Sequence, residues 1–468
     1  MTAKRTGFVV GLAGFLATLV LPAPAAMPET AWVVAGLVFL MAAWWMTEAL
    51  PLTATALLPF LVLPLAGISD AKETASAYYS PILFLILGGA FIALTVERTG
   101  LHRRLALGLL NRMGKGGEMR LLLAFMISTG FISMFISNTS TALIMMPMAL
   151  AMLAGGGLAD DETEGLAGAL PMGIAFAASI GGLGTIVGSP TNAIAVALLD
   201  NMLGLKISFA RWAMFGLPMV VAGIPLAAWI IGRVQRVADH PFDIAAARET
   251  IRDTGPLTSP ERRLIPLFAL TVLAWVCQPL LEPLLPKGAL TDGTIAIAAG
   301  LLLFIIPDGT GRPLLLWKEA DKAPWAVILM FGGGLALASG MEASGLADWL
   351  GEALLPLRTV PLLVIALALV ALVVVVTEFA SNVATASGVM PVVASLSVAL
   401  GADPLLLAMP AAMAASWGFM LPAGTGPNAI AWATGRIRLT RLIRAGLWLD
   451  ICGIFLIVGV IWSMATLI

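Results

Sequence analysis

Long runs of apolar residues, separated by short polar loops, fill most of the chain. An α-helix needs about 20 apolar residues to cross the hydrocarbon core of a bilayer. By this measure the pattern predicts about eleven membrane-crossing segments, of which those at 168–199 and 405–434 are broken in the middle. The others lie at 7–22, 31–50, 52–65, 81–96, 212–231, 264–281, 295–306, 325–339 and 442–464. The pattern therefore predicts an all-α polytopic membrane protein.

Two further apolar regions, 119–153 and 360–400, are interrupted by polar residues at mid-length. The interruption is ISNTSTALIMMP from Ile136 in the first region and ASNVATASGVMP from Ala380 in the second. Each apolar arm is too short to cross a bilayer comfortably. We therefore predict a re-entrant helical hairpin in each region, which enters and leaves the membrane on the same side.

Composition agrees with a membrane protein. Of the 468 residues, 60% are hydrophobic and 11% are charged, whereas roughly 25% of the residues in an average globular protein are charged. The net charge of −1 offers nothing in favour of a nucleic-acid partner. The lipid bilayer is the expected environment. The first apolar run has the features of a signal peptide but is nearly long enough to span, which favours a retained helix.

Lysine and arginine prefer cytoplasmic loops, so their positions test the predicted number of segments. With Lys4 and Arg5 in the cytoplasm, eleven crossings put the basic residues of 98–120, 233–263, 312–322 and 436–444 on that side. Those outside are Lys72, Lys206, Arg211, Lys287 and Arg358. We predict a multi-pass protein of the inner (cytoplasmic) membrane, with its N-terminus in the cytoplasm and its C-terminus outside. The first hairpin then lies on the cytoplasmic side and the second on the outer side.

The chain contains an internal repeat. Ser137 and Ser381 are 381 − 137 = 244 residues apart, and LGGAFIAL from Leu87 matches FGGGLALA from Phe331 at the same offset. GSPTNAIAVAL from Gly188 likewise matches GTGPNAIAWAT, with a slightly shorter spacer. Corresponding segments cross the membrane in opposite directions by the predicted topology. Inverted repeats with paired helix interruptions indicate a secondary transporter whose site lies between the repeats.

The repeat and a long polar linker divide the chain into five predicted parts. Residues 1–80 form N-terminal scaffold helices, and residues 81–232 form the core of the first repeat with its hairpin. A cytoplasmic linker follows at 233–263, and second scaffold helices follow at 264–323. Residues 324–468 form the core of the second repeat with its own hairpin.

The paired polar clusters can bind ions. Ser137, Asn138 and Thr139 in the first cluster, like Ser381 and Asn382 in the second, supply hydroxyl and amide oxygens. These oxygens suit small alkali cations, and the same side chains can donate hydrogen bonds to a carboxylate. A helix that begins after each cluster would point its positive N-terminal end at the site. The clusters therefore favour a site for a cation and an anion together.

The absence of positive charge around the clusters is equally informative. No lysine or arginine lies between residues 120 and 206 or between residues 358 and 436, so an anion bound there would need co-bound cations.

Glu378, beside the second cluster, is either an ion-pathway carboxylate or a structural residue. An intramembrane enzyme would need a paired-aspartate, His-Glu or Ser-His constellation. Because His102 and His240 both lie in predicted cytoplasmic segments, we do not expect an enzyme.

Five motifs resemble those of the divalent-anion:sodium symporter family, which carries di- and tricarboxylates or sulfate. They are WWMTEALPLTATALLP from Trp44, SNT at Ser137, GSPTN at Gly188, TEFASNVAT at Thr377 and SWGFMLPAGTGPNAIA at Ser416. The resemblance covers essentially the whole chain and implies sodium-coupled symport of small di- or tricarboxylates such as succinate, malate, fumarate or citrate. It further implies a homodimer in which transport domains slide past a fixed scaffold, with amphipathic arms such as 101–113 lying along the membrane.

The resemblance also implies the residues of two sodium sites and one substrate site. The first sodium site would use Ser133, Ser137, Asn138 and the backbone of Gly188. The second would use Thr377, Ala380, Asn382 and Gly424. The substrate-binding residues would be Ser137, Asn138, Thr139, Ser381, Asn382, Val383, Thr425 and Gly426. Sodium ions are thus expected as co-transported ions, and no organic cofactor is expected.

Three positions depart from the family pattern. Val383 stands where the family usually has threonine, which removes one donor to the substrate, and Gly426 and Thr191 replace prolines in the two helix breaks.

Two other functions share the implied fold: a sodium-independent dicarboxylate exchanger, and a symporter of sulfate or another divalent anion. Basic side chains in place of the cation sites would favour the exchanger, and the sequence has none in these stretches.

Overall fold

The structure is a computed structural model that describes residues 3–113, 116–159, 161–249 and 255–467. Parts of the basic loops at 98–120 and 233–263 lie outside these residues. Within the described residues, regular structure is helical apart from one isolated β-bridge between Pro307 and Pro313. The predicted all-α fold of a membrane protein is confirmed.

The helices of the first half follow the apolar segments of the sequence. They are α1 (Ala3–Val20), α2 (Glu29–Thr47), α3 (Leu52–Thr55), α4 (Leu58–Leu65), α5 (Ala71–Ala77), α6 (Pro81–Thr99), α7 (Leu101–Met113), α8 (Glu118–Ser133), α9 (Asn138–Gly155), α10 (Leu166–Gly182), α11 (Pro190–Leu203), α12 (Phe209–Val234) and α13 (Ile244–Glu249). A 3₁₀ turn, Ile186–Gly188, lies between α10 and α11.

The helices of the second half follow the linker. They are α14 (Ser259–Leu281), α15 (Asp292–Ile305), α16 (Trp317–Ala320), α17 (Trp325–Ala343), α18 (Leu346–Leu354), α19 (Leu362–Phe379), α20 (Asn382–Leu400), α21 (Pro404–Ala414), α22 (Gly426–Ala433) and α23 (Leu439–Ala465). Local signals set several of these boundaries. Proline at the first helical position and a serine or threonine cap before it begin α6 and α11.

Ten helices in the described part of the chain are long and apolar enough to cross a membrane. They are α1, α2, α6, α9, α12, α14, α17, α19, α20 and α23. Three of these, α9, α19 and α20, belong to the two interrupted regions, whereas several predicted crossings consist of shorter apolar helices: α3 with α4, α10, α15 and α21. The ten long apolar helices therefore do not correspond one to one to the eleven predicted crossings. The number of crossings and the two re-entrant hairpins stay predictions.

Small residues let the central helices approach closely. Every residue of α10 is buried, and a methyl group added at Gly181 of this helix would lie 2.3 Å from the carbonyl oxygen of Gly130 on α8. Lipid tails are as apolar as leucine, so helices in a membrane associate mainly through close packing and hydrogen bonds. The glycine-rich sequence of α10 therefore allows α8 and its C-terminal polar residues to pack backbone to backbone against it.

A separate apolar cluster forms where the N-terminal helices meet α17. Val34, Leu37 and Met41 of α2 pack there with Met330 of α17. Ala384, in the first turn of α20, belongs to the same cluster. The N-terminal helices therefore cover the start of α20, which immediately follows the second Ser-Asn pair.

Candidate ion and substrate site

The paired polar residues lie where one helix ends and the next begins. The first tip, residues 133–139, joins α8 to α9, and the second tip, residues 377–383, joins α19 to α20. The hydroxyl oxygen of Ser137 caps α9 by accepting a hydrogen bond from the Ser140 amide at 3.2 Å. Ser381 caps α20 in the same way, accepting from the Ala384 amide at 3.2 Å. Each Ser-Asn pair therefore lies at the positive end of a helix dipole.

Oxygen atoms gather around the side-chain amide of Asn138 in the first tip. One end of this amide lies 2.9 Å from Ser133 Oγ, 3.1 Å from the Ala178 carbonyl oxygen and 3.3 Å from the Gly188 carbonyl oxygen. With its nitrogen on this side, the amide can donate to these oxygens. With its oxygen on this side, four oxygens face one another, an arrangement that a hard cation would stabilise.

The second tip has a matching arrangement around Thr377. Its hydroxyl oxygen lies 2.9 Å from Asn382 Oδ1 and 2.8 Å from the Ala415 carbonyl oxygen. Thr377 is fully buried, as is Ser133, its counterpart in the first tip. One hydroxyl group has a single proton and cannot donate to two acceptors at once. An acceptor without a donor is costly to bury, and a bound cation would remove that cost.

The carbonyl groups of Ala178 and Ala415 are oxygens that were not predicted from the sequence. The two alanines occupy corresponding positions in the two halves. They are 415 − 178 = 237 residues apart, within one residue of the spacing between the matching glycines Gly188 and Gly424, which is 424 − 188 = 236. The internal repeat would have paired the two alanines with each other. Nothing in their side chains marks them as ligands, because a backbone carbonyl is common to every residue type.

The other predicted cation ligands have different neighbours. Ser137 uses its hydroxyl oxygen to cap α9. Ala380 donates its amide to the Val376 carbonyl at 3.0 Å, which ends α19. Gly424 lies against the backbone of the second tip, where an added methyl group would be 3.3 Å from the Glu378 carbonyl oxygen. The structure therefore brings Ser133, Asn138 and Gly188 together, and Thr377 with Asn382, more closely than it does these three.

Two asparagines close the helix breaks that face the tips. In the first break, between α10 and α11, Asn192 Nδ2 donates to the carbonyl oxygens of Gly182 at 2.7 Å and Thr185 at 2.8 Å. In the second break, between α21 and α22, Asn428 Nδ2 donates to the Leu421 carbonyl at 3.1 Å. These two positions were absent from the predicted site. The repeated Asn-Ala-Ile-Ala sequence was the signal that could have identified them.

Each tip contacts the break of the opposite half. Helix α9 packs against α22, and α20 packs against α11. A methyl group added at Gly426 would lie 2.3 Å from Thr139 Oγ1, so a larger residue does not fit there. Thr425, just before it, caps α22 by accepting from the Asn428 amide at 3.2 Å. The predicted substrate residues Thr139, Thr425 and Gly426 are thereby brought together from the two repeats.

A cleft with a volume of about 180 Å³ reaches the first tip. Ser137 and Ser140 line it together with Ser189 of the first break. Its mouth lies beside Glu97 and Lys322, and Lys322 belongs to the predicted cytoplasmic loop at 312–322. Residues of the second tip do not line this cleft. The cleft therefore leads from the predicted cytoplasmic side to the first tip.

Glu378 connects the second tip to the second break through hydrogen bonds. Its two carboxylate oxygens accept hydrogen bonds from the backbone amides of Met420 at 2.9 Å and Leu421 at 3.0 Å. Asp450 of α23 lies beside it, and the two residues are 1% and 4% exposed, respectively. Glu378 thus holds the link after Ala415 in place. The sequence alone left the role of Glu378 open, and Asp450 was not predicted because it is far away along the chain.

Comparison with known proteins gives a family and a set of full-length relatives. A family model described as the sodium:sulfate symporter transmembrane region matches residues 2–468. The sodium-dependent dicarboxylate transporter SdcS of Staphylococcus saprophyticus is 38% identical over 98% of this chain and 91% of its own length. The protein of the same name in Staphylococcus aureus strain MRSA252 is 36% identical over 100% of this chain and 92% of its own length.

Two solved transporter structures share the fold. The YdaH transporter of Alcanivorax borkumensis superimposes with a TM-score of 0.54 at 14% identity, covering 94% of this chain and 98% of that chain. MtrF of Neisseria gonorrhoeae superimposes with a TM-score of 0.51 at 12% identity, covering 98% of this chain and 94% of that chain. At these identities the similarity concerns the arrangement of helices alone.

Proposed function

The chain belongs to the sodium:sulfate symporter family, and on that premise we propose that it is a sodium-coupled symporter of small di- or tricarboxylates. The matched oxygen clusters of the two tips are the observation on which this proposal chiefly rests. In the second tip, the buried Thr377 hydroxyl lies between two oxygens and has one proton to share. In the first tip, the buried Ser133 hydroxyl lies within hydrogen-bond distance of the Ala178 carbonyl oxygen and of one end of the Asn138 amide. The full-length relatives named as sodium-dependent dicarboxylate transporters support the choice of ion and substrate class.

The proposed sodium sites follow from these clusters. Ser133, Asn138, Ala178 and Gly188 would supply oxygens to one ion. Thr377, Asn382 and Ala415 would supply oxygens to the other, and Ser137, Ala380 and Gly424 stay proposed as further ligands. At the second site, sodium would take the place of the missing hydroxyl proton, because each acceptor oxygen would then have a positive partner. At the first site, sodium would favour the orientation in which the Asn138 amide oxygen faces the other oxygens. Ion binding and the geometry of the tip would thus depend on each other.

The anion would lie between the two tips, close to the sodium ions. Ser137, Asn138, Thr139, Ser381, Asn382, Val383, Thr425 and Gly426 are its proposed contacts. No lysine or arginine is available in these stretches, so its charge would be offset by the sodium ions and by the N-terminal ends of α9 and α20. Without sodium, only the helix ends would remain. This arrangement gives a physical reason for obligatory coupling, since binding of the anion alone would be unfavourable.

We also propose how the site would reach both sides of the membrane. Because each tip packs on the break of the opposite half, the two repeats would move as one transport body. The N-terminal helices and the second scaffold helices would form the fixed part, in a homodimer with the topology predicted above. The cleft beside the first tip supports a state open to the cytoplasm. A vertical movement of the transport body would then expose the second tip to the outer side.

Uptake of radiolabelled succinate into proteoliposomes tests the proposal. An inward sodium gradient is compared with potassium or choline, and unlabelled citrate, malate and sulfate are added as competitors. We expect sodium-dependent uptake and strongest competition from a carboxylate. Strongest competition from sulfate would make the protein a sulfate symporter. Uptake that ignores sodium but needs dicarboxylate on the opposite side would make it an exchanger and exclude both sodium sites.

A further inference from the structure

The mouth of the cleft beside the first tip has two charged side chains. Glu97 comes from the last turn of α6, and Lys322 comes from the link between α16 and α17. The other described residues that line the cleft are uncharged. Lys322 is exposed and Glu97 is half-buried. An anion that enters from this side therefore meets one positive and one negative group before it reaches Ser137.

Two arginines of this region are held by acidic partners. Arg98 Nη1 lies 3.1 Å from Asp308 Oδ2, and Arg312 pairs with Glu319. Lys322, in contrast, forms no ion pair within the described residues, although Glu97 is near enough to interact with it electrostatically. The positive charge of Lys322 is therefore the one at the cleft that an incoming anion can use.

We propose that Lys322 attracts the carboxylate substrate into the cleft from the cytoplasmic side and that Glu97 competes with the substrate for this charge. The inference rests on the proposed function and adds a selectivity element for anions outside the two tips. A dicarboxylate has two negative charges, and a cleft with apolar walls concentrates the field of a charge at its mouth. Removing Lys322 would weaken entry on this side, whereas removing the charge of Glu97 would favour it.

Membrane vesicles of opposite orientation separate this effect from a general loss of transport. Inside-out vesicles present the cytoplasmic face to the medium, and right-side-out vesicles present the outer face. Sodium-driven uptake of succinate is measured in both at low ionic strength. Lys322→Gln should raise the KM roughly two- to five-fold in inside-out vesicles, the range expected for an exposed charge pair. It should leave the KM of right-side-out vesicles and the maximal rate unchanged.

Two further variants and a salt series make the test specific. Lys318→Gln, which removes an exposed lysine four residues away and outside the cleft, should leave both KM values unchanged. Glu97→Gln should lower the KM in inside-out vesicles. The effect of Lys322→Gln should shrink in about 0.5 M salt, because mobile ions screen exposed charges over less than 10 Å under these conditions. Matching melting temperatures would show that all variants are folded.

Several results would overturn the assignment. An unchanged KM for Lys322→Gln in inside-out vesicles would exclude a role in anion entry, and an equal rise in both orientations would show a structural effect. A rise confined to right-side-out vesicles would put Lys322 at the outer face. If the unmodified protein shows no sodium-dependent uptake in either orientation, the proposed function itself fails, and the inference fails with it.

Discussion

The two tips have the same local structure and different surroundings. In the first tip, Ser137 and Thr139 are exposed, and the cleft reaches Ser137. In the second tip, Ser381 and Asn382 are half-buried, and the next turn of helix packs under the N-terminal helices through Ala384. The two tips therefore differ in accessibility: the first is open to the cleft, whereas the start of the helix after the second is covered by the N-terminal helices.

The tips also differ in what holds them to the neighbouring break. The residue in the first tip that corresponds to Glu378 is Met134, since 378 − 244 = 134. Met134 offers only its backbone carbonyl, which accepts a hydrogen bond from the Thr185 hydroxyl. Glu378 instead accepts two backbone amides through its buried side chain. The second tip therefore depends on a charged group that the first tip lacks.

Removing either asparagine should have the largest effect. Asn138→Ala and Asn382→Ala each delete an amide group that lies next to a buried hydroxyl, and we expect roughly a 100-fold or greater loss of sodium-driven succinate uptake, above the range seen for groups that only support a ligand. Asn201→Ala, at an exposed end of α11, serves as the matched control. Normal uptake by both tip variants would refute the proposed sites, and loss in only one would show that the two tips are not equivalent.

A methyl group at Gly426 should disturb the contact between the first tip and the second break. Because the added carbon would lie 2.3 Å from Thr139 Oγ1, Gly426→Ala should destabilise the protein by about 1–3 kcal/mol, as overpacking usually does. The melting temperature measures this loss. Adding Thr139→Ala removes the clashing hydroxyl and should restore most of it. Failure of the double variant to recover would mean that the two residues are not in contact.

Substitution of Glu378 tests the asymmetry of the two tips directly. In Glu378→Gln one acceptor oxygen becomes an amide nitrogen that faces a backbone amide, so a buried hydrogen bond to a charged group is lost. We expect a stability loss of about 1.5–3 kcal/mol and a higher sodium concentration for half-maximal uptake. Met134→Leu, the matched change in the first tip, should alter neither quantity. Equal effects of the two substitutions would contradict the role of Glu378.

The smallest effect is expected at Val383, which lies half-buried next to the second Ser-Asn pair. Val383→Thr adds a hydroxyl donor with little change in volume. We expect a shift in preference from citrate toward succinate of about two- to five-fold, the worth of one modest hydrogen bond. Competition of unlabelled acids with radiolabelled succinate measures the shift. An unchanged ranking would exclude Val383 as a determinant of selectivity.

The helices around the site were largely predictable because their signals are local. Runs of apolar residues gave α6, α12, α17 and α23 within a few residues of their observed ends. The Ser-Asn pairs interrupt such runs with side chains that cap the next helix, so the positions of both tips could also be read from the chain. Helix ends of this kind depend on a few neighbouring residues and hardly on distant ones.

By itself, the sequence determined the class of protein, the internal repeat and the polar residues of each tip, because apolar length, repeat spacing and residue type are written along the chain. The tertiary structure decided which carbonyl oxygens meet those residues, that Asp450 lies beside Glu378, and which tip is open to the cleft. The reason is physical. Backbone carbonyls have the same chemistry in every residue. Whether a tip is open or buried depends on helices that are far apart in sequence and meet only when the chain folds.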